Sequence, residues 1–442
     1  MTNDAQVLVI GAGVAGLVAA RDLALAGMRV VVLEARDRIG GRIYTLKDES
    51  APVPIELGAE FVHGKPPELF DIMENARLLF CDVSARHWYI EDGVLSKSAD
   101  FWHKLNELMG QMKLTEPDRS FRDFLDSWSN DPETRRAKTL AEKYVEGFHA
   151  ARAERIGVHG LIKANEAEDA IEGDNSFRVL SGYSGVVQWL LDQAEHAGAT
   201  THLSTEVKEI HWTNRHVEAI CISAAEGCSF SASAAIITLP LGVLQAAFDQ
   251  PAAMRFIPEL PVEKQDAIRG LEVGQVVKIT LRFRSRFWED LDLPDFGEDL
   301  WELGFIHYPE AAFPTWWTLL PVRAPIMVGW VGGPDAEALF RQDQKVILDL
   351  ALASLRRVFK TTIDFLQSEV EACYIHDWHS DEFSRGAYSY IPVNGLPTQQ
   401  TLARPVNKTL FFAGEATSVG HIGTVHGALM SGQRAVKELL AD

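Results

Sequence analysis

Val7-Leu8-Val9-Ile10-Gly11-Ala12-Gly13-Val14-Ala15-Gly16 is the stretch that decides the fold. Its apolar start, Val7 to Ile10, reads as a buried parallel strand. The run breaks at Gly11-x-Gly13-x-x-Gly16, and the alanine-rich Val14 to Ala26 reads as a helix. Arg29 to Leu33 is a second apolar run, ending at Glu34. Strand, glycine turn, helix, strand and acid in this register describe a dinucleotide-binding βαβ unit. Gly11 allows the tight turn, Gly13 lets a pyrophosphate approach the backbone, and Gly16 lets helix and strand pack closely. The helix N-terminus, at Val14 and Ala15, presents unpaired N–H groups to the anion. Glu34 is placed to accept hydrogen bonds from ribose hydroxyls. The stretch does not say which dinucleotide is bound.

Size and composition bound what this unit serves. The chain has 442 residues, enough for two ordinary domains or one interleaved pair. It is 47% hydrophobic and 24% charged, the composition of a globular protein with an ample core. A net charge of −20 argues against a sequence-independent nucleic-acid binder, which needs a basic face. It also argues against anionic membrane surfaces and is compatible with a cationic small substrate, although acidity is ordinary in soluble proteins. Cys81, Cys221, Cys228 and Cys373 show no CxxC spacing, so reduced thiols are expected. The first strand lies so near Met1 that no signal peptide is expected, and no apolar run reaches membrane-span length. The expectation is a cytoplasmic protein without membrane or nucleic-acid partners, a monomer or a homodimer.

Beyond Glu34 the chain reads Ala35-Arg36-Asp37-Arg38-Ile39-Gly40-Gly41-Arg42. Paired glycines beside an arginine suit a phosphate loop, with backbone N–H groups and a guanidinium on one anion. Next comes Ile55-Glu56-Leu57-Gly58-Ala59-Glu60-Phe61-Val62-His63-Gly64, where Gly58 and Ala59 would let a flat ring lie against backbone. These stretches resemble the flavin-containing amine oxidases. That family takes in monoamine oxidases, polyamine and spermine oxidases, L-amino-acid oxidases and histone lysine demethylases. The resemblance implies FAD rather than NAD. It implies an α/β fold, with a Rossmann-type FAD-binding domain (residues 1–70, 180–250 and 380–442) interleaved with an α+β substrate domain (71–179 and 251–379). It places FAD contacts at Gly11, Gly13, Ala15, Gly16, Glu34, Ala35, Arg36, Gly41 and Arg42, and at Leu57, Gly58, Ala59 and Glu60.

Residues 66 to about 175 change character. Leu105, Leu108, Met109 and Met112 recur at helical spacing, and Phe121 to Trp128 and Leu140 to Phe148 read the same way. This is expected to be a helical insertion. Glu166, Glu168, Asp169, Glu172 and Asp174 cluster at its end, either as a solvated acidic loop or as a funnel mouth that attracts a polyamine. Val186 to Ala197 reads as a helix, His202 to Ile210 as a strand, and Ala234 to Leu244 as a buried strand ending in a proline turn. The resemblance places the backbone of Val207 against adenine. In Val276 to Phe283, Val277, Ile279, Leu281 and Phe283 share one face, and Lys278 stands on the other with Val276, Thr280 and Arg282. Later strands of that sheet carry Trp316, Trp317 and Trp330, and Gln344 to Val358 is a helix.

Three motifs extend the resemblance to the C-terminal part: Asp377-Trp378 followed by Ser384-Arg385-Gly386-Ala387-Tyr388, then Phe412-Ala413-Gly414-Glu415-Ala416-Thr417, then Gly423-Thr424-Val425-His426-Gly427-Ala428. They imply further FAD contacts at Trp378, Gly414, Glu415, Gly423, Thr424, Val425 and Ala428. They also imply the reaction, removal of a hydride equivalent from the carbon next to an amine nitrogen. Imine hydrolysis to an aldehyde follows, and O2 is the second substrate, giving hydrogen peroxide. Catalytic positions fall at Lys278, Trp378, Tyr388, His63 and Thr424. Lys278, before Phe287-Trp288, matches a lysine that points at the flavin and holds a water there. Trp378 and Tyr388 match aromatic positions beside the flavin. Thr424 stands where monoamine oxidases complete an aromatic cage with a second tyrosine, which moves the resemblance towards polyamine oxidases and lysine demethylases. Ala387 stands where monoamine oxidases carry the cysteine that bonds the flavin, so FAD is expected to be non-covalent. His63 either contacts the substrate amine or is a structural loop histidine. His421 and His426 have no third ligand in the sequence, so no metal is expected.

The leading expectation is a polyamine-oxidase-like enzyme acting on a small-molecule amine. Monoamine oxidase is an alternative on the same scaffold. An L-amino-acid oxidase needs an arginine for the carboxylate, and Arg86, Arg122 and Arg323 are the candidates. A demethylase-like protein-binding module is the reading from another class, and the chain shows no long coiled-coil insertion to support it.

Overall fold

Val7–Ile10 is the central strand of a five-stranded parallel sheet. Val30–Leu33 and Thr200–His202 lie to one side, Ala234–Ile237 and Leu410–Phe412 to the other. The computed structural model describes residues 5–441 apart from 84–85, 92–93, 97–99, 130, 224–226, 292, 294–299 and 341.

Side-chain alternation decides what covers each face. Val7, Val9, Val30, Val32 and Ile236 pack on three helices, Val14–Leu25, Ser184–His196 and Val425–Leu440. Leu8, Ile10, Val31, Leu33 and Ile237 pack instead on a four-stranded sheet of Thr205–Thr213, His216–Ser223, Gly227–Ala232 and Arg255–Ile257. Both faces are covered, which is why these strands read as continuous apolar runs. Each fully buried Val or Leu contributes about 1.5–3 kcal/mol.

A seven-stranded sheet forms the second layer system, in the order Val370–Ile375, Val276–Phe283, Ile326–Gly332, Thr315–Thr318, Phe305–His307, His87–Glu91, Val94–Ser96. Val277, Ile279, Leu281 and Phe283 pack on the Gln344–Val358 helix through Ile347, Leu352 and Leu355. Lys278 and Thr280 take the opposite face, as the alternation requires.

Several boundaries differ from the sequence reading. The stretch expected to be a helical insertion also holds the strands Phe80–Asp82, His87–Glu91 and Val94–Ser96. They are too short for a periodicity to show, and the last two are recruited by the seven-stranded sheet. The helix read from Leu140 runs over Pro132–Phe148, because Pro132 and the Asp131 side chain, which accepts from Thr134 N, start it earlier. Met112 lies beyond the helix that ends at Met109, yet it is buried with it. The strand read over His202 to Ile210 is two strands in two sheets, broken at Ser204, whose φ is +50°. The run Ala234 to Leu244 ends as a strand at Ile237, and Pro240 starts a short helix, Leu241–Leu244. No helix among the described residues is long and apolar enough to cross a membrane.

Candidate active site

A cavity of about 1270 Å³ runs from the glycine turn to the seven-stranded sheet. Every site residue nominated from the sequence lines it except Gly16. Gly16 lies behind the wall, where a Cβ would stand 2.0 Å from Gly11 O, so it permits the close approach of helix and strand. Gly11 has φ +105°, the turn conformation that a side chain resists.

The first part of the wall fits a dinucleotide. A Cβ built on Gly13 meets no protein atom within 4 Å, so the backbone is open to a close ligand there. Glu34 is buried at the end of its strand and accepts from Ala12 N at 2.7 Å and Arg36 N at 2.9 Å. Burial raises its pKa, and the two backbone donors oppose that rise. Ala35, Gly41 and Val207 also line the cavity. Arg36 lines it too, and its guanidinium makes a bidentate pair with Asp381, at 2.9 and 2.7 Å. Arg42 Nη1 donates to Glu415 Oε1 at 2.8 Å and to Ala387 O at 2.9 Å. Glu415 also accepts from Ser389 Oγ at 2.9 Å and Gly423 N at 3.0 Å, so one carboxylate joins three late segments to the early arginine. Gly414, Val425 and Ala428 complete this part.

The reactive end is built on Leu57-Gly58-Ala59. Trp378 Nε1 donates to Leu57 O at 2.9 Å, and a Cβ on Gly58 would stand 1.9 Å from Arg42 O and 3.1 Å from Trp378 Cζ2. Tyr388 Oη donates to Phe148 O at 2.6 Å, which ties this ring to the end of the Pro132–Phe148 helix. Both aromatics spend their polar hydrogens on carbonyls and present ring surface to the cavity. Thr424 caps the last helix: its Oγ1 accepts from Gly427 N at 3.0 Å and donates to His421 O at 2.8 Å. Lys278 is 5% exposed, 2.6 Å from Glu60 Oε2 and 3.2 Å from Gly58 O. Its neighbours hold the Glu60 carboxyl down at about 2 against the strong opposing effect of burial. Glu60, which the sequence assigned to the cofactor, lines the cavity, and its carboxylate is engaged by Lys278, Arg178 and Trp317.

The remaining wall carries histidines and acids, of which His87, His149 and His307 were not singled out in the sequence. His63 is half-buried between Phe61 and Phe148, and loss of solvent lowers it to about 4. Burial likewise lowers His149 and His87 to about 4, and His307, also facing His87, to about 3. His87 Nδ1 and His307 Nε2 are 2.8 Å apart, on neighbouring strands that no motif marked. Glu166, Glu168, Asp169 and Asp174 also line the cavity, with burial and the two aspartates pushing Glu168 up to about 7. Glu172 pairs with Lys65 at 2.7 Å. Arg86, Arg122 and Arg323 lie outside the wall, paired with Glu302, Glu142 and Glu289. His421 Nδ1 and His426 Nε2 are 3.1 Å apart, and no group of three metal-ligating side chains is found among the described residues.

A family model described as flavin containing amine oxidoreductase matches residues 14–440. Polyamine oxidase 2 of Arabidopsis thaliana is 31% identical, over 99% of this chain and 88% of that protein. Polyamine oxidase 4 of Oryza sativa subsp. japonica is 29% identical, over 98% and 88%. Lysine-specific histone demethylase 1 homolog 3 of Arabidopsis thaliana is 27% identical over 99% of this chain, which spans 30% of that protein's length. Wild-type putrescine oxidase bound to putrescine has the same fold, with a TM-score of 0.82 at 20% identity and 100% of each chain covered.

Proposed function

The chain belongs to the flavin-containing amine oxidoreductase family, and from that premise we propose an FAD-dependent amine oxidase acting on a polyamine, with O2 as second substrate. The five-stranded sheet and its helices are the FAD-binding unit, and the seven-stranded sheet with the helices of residues 100–169 is the substrate unit. Glu34, the Gly13 turn, Arg42 and Glu415 would hold the FAD. Ala387, without a nucleophile, supports non-covalent attachment. Bound FAD would supply the acceptor for the electrons and hydrogen lost from the carbon next to the amine nitrogen.

The charge pattern of the wall carries this reading. The cations Arg36, Arg42, Lys143 and Lys278 are each paired with a carboxylate, burial lowers the pKa of every lining imidazole and so favours its neutral form, and the acidic end of the Val158–Asp169 helix lies at the wall. Such a wall attracts an ammonium and does not repel it. Inside, Trp378, Tyr388 and Phe61 offer a poorly solvated lining, which favours the neutral amine that the reaction needs. Neutral His63 supplies a proton acceptor in that lining. The L-amino-acid reading lacks support, because its three nominated arginines stand outside the wall and are paired.

A peroxide-release screen of the purified flavoprotein against spermine, spermidine, putrescine, benzylamine, tyramine and L-amino acids tests the proposal. Turnover of di- and polyamines is expected; turnover of L-amino acids alone would overturn it.

A further inference from the structure

Glu60 stands in the cavity wall, but its carboxylate serves the protein. Oε1 accepts from Trp317 Nε1 at 2.9 Å and from Arg178 Nη2 at 2.9 Å. Oε2 is 2.6 Å from Lys278 Nζ. Glu60, Arg178, Trp317 and Lys278 are all buried, on a loop and three different strands. Arg178 is itself fixed by donating to Leu319 O at 3.1 Å. A lysine ammonium carries three hydrogens. Glu60 takes one and Gly58 O, at 3.2 Å, takes a second. We propose that Glu60 is a positioning residue, which fixes the Lys278 ammonium so that one N–H is turned to the reacting end of the cavity. The proposal rests on the amine-oxidase reading for the step it affects, and on geometry alone for the coupling.

Two physical points support it. A lysine stem has four rotatable carbons, so an unanchored ammonium samples many positions. Without the Glu60 charge, Lys278 and Arg178 would also be buried like charges that lose their shared partner, and they would move apart. Gln at this position keeps the shape and an acceptor for Trp317, but it removes the charge. Asp keeps the charge on a shorter stem.

Glu60→Gln, Glu60→Asp, Lys278→Met and the double variant Glu60→Gln/Lys278→Met, each with FAD bound, test this. Peroxide release with the best amine of the screen gives kcat and KM, and the flavin absorption spectrum gives a readout independent of turnover. Glu60→Gln is expected to lower kcat on the order of 10²-fold with KM within about twofold, as misplacement of a reacting group does. Its spectral shift should match that of Lys278→Met, the double variant should be no slower than Lys278→Met, and Glu60→Asp should recover part of the loss. Multiplying losses in the double variant, or a wild-type rate and spectrum in Glu60→Gln, would overturn the proposal. If Glu60→Gln fails to retain FAD, Glu60→Asp and its double with Lys278→Met carry the same comparison. If the wild-type holoenzyme oxidises no amine, the functional reading falls, and the spectra alone decide Glu60: a shared, non-additive shift supports it and unrelated shifts overturn it.

Discussion

Single residues in this site are constrained by what touches them. Gly58 has Arg42 O where a Cβ would be, 1.9 Å away, and Trp378 on the same side. Gly58→Ala is therefore expected to displace Arg42 or Trp378 and to lower FAD content, read as the flavin-to-protein absorbance ratio; full occupancy would contradict this account. His63 gives a pH effect with a definite sign. Its pKa is about 4 in the fold, against 6.5 ordinarily. Between those values the unfolded chain binds a proton there and the folded chain does not. Its contribution to stability is therefore lost as pH falls from 6.5 towards 4, by at most about 1.4 kcal/mol per pH unit. His63→Asn should flatten the pH dependence of urea unfolding in that window. An unchanged slope would mean that His63 is protonated in the fold. The glycines and Trp378 were legible in sequence because each sits in a motif with a fixed spacing. The partner of Lys278 was not, because Glu60 gains its role only when a strand far along the chain folds against it.

At the scale of elements, the helix starts do most to shape the cavity. Val14–Leu25 and Val425–Leu440 pack against each other, with Gly432 against Ala15 O, so their N-termini meet the same cavity. Thr424 caps the second helix through Gly427 N. Thr424→Ala is expected to cost about 1 kcal/mol in chemical unfolding, with Thr424→Ser close to wild type. Equal loss in both variants would show that the methyl group, not the cap, matters. The Gln344–Val358 helix and the Val276–Phe283 strand were read correctly to the residue, because each has a clear period. The strands at His87–Glu91 and Val94–Ser96 were missed, because such short segments show no period; the first is fixed by pairing to Phe305–His307 and the second by pairing to the first.

At the scale of the molecule, the site is joined by ion pairs between chain segments that are far apart in sequence. Arg36 meets Asp381 and Arg42 meets Glu415, and Arg36, Arg42 and Glu415 line the cavity. A ligand touching both ends of the chain should therefore stabilise the whole fold. Removing FAD is expected to lower stability by roughly 2.7 kcal/mol when the holoenzyme is held at about 100 times its Kd in FAD. Calorimetry of stripped and reloaded protein checks this, and equal melting temperatures would count against FAD bridging the segments. The sequence by itself determined the βαβ unit and the family, because glycine turns and apolar periods act locally and leave a spacing. Only the tertiary structure decided that Glu60 holds Lys278, that Arg36 is spent on Asp381, and that neutral histidines and the acidic helix end share one cavity. Those are contacts between distant segments, set by which strands pair and how deeply each group is buried, and no local pattern encodes them.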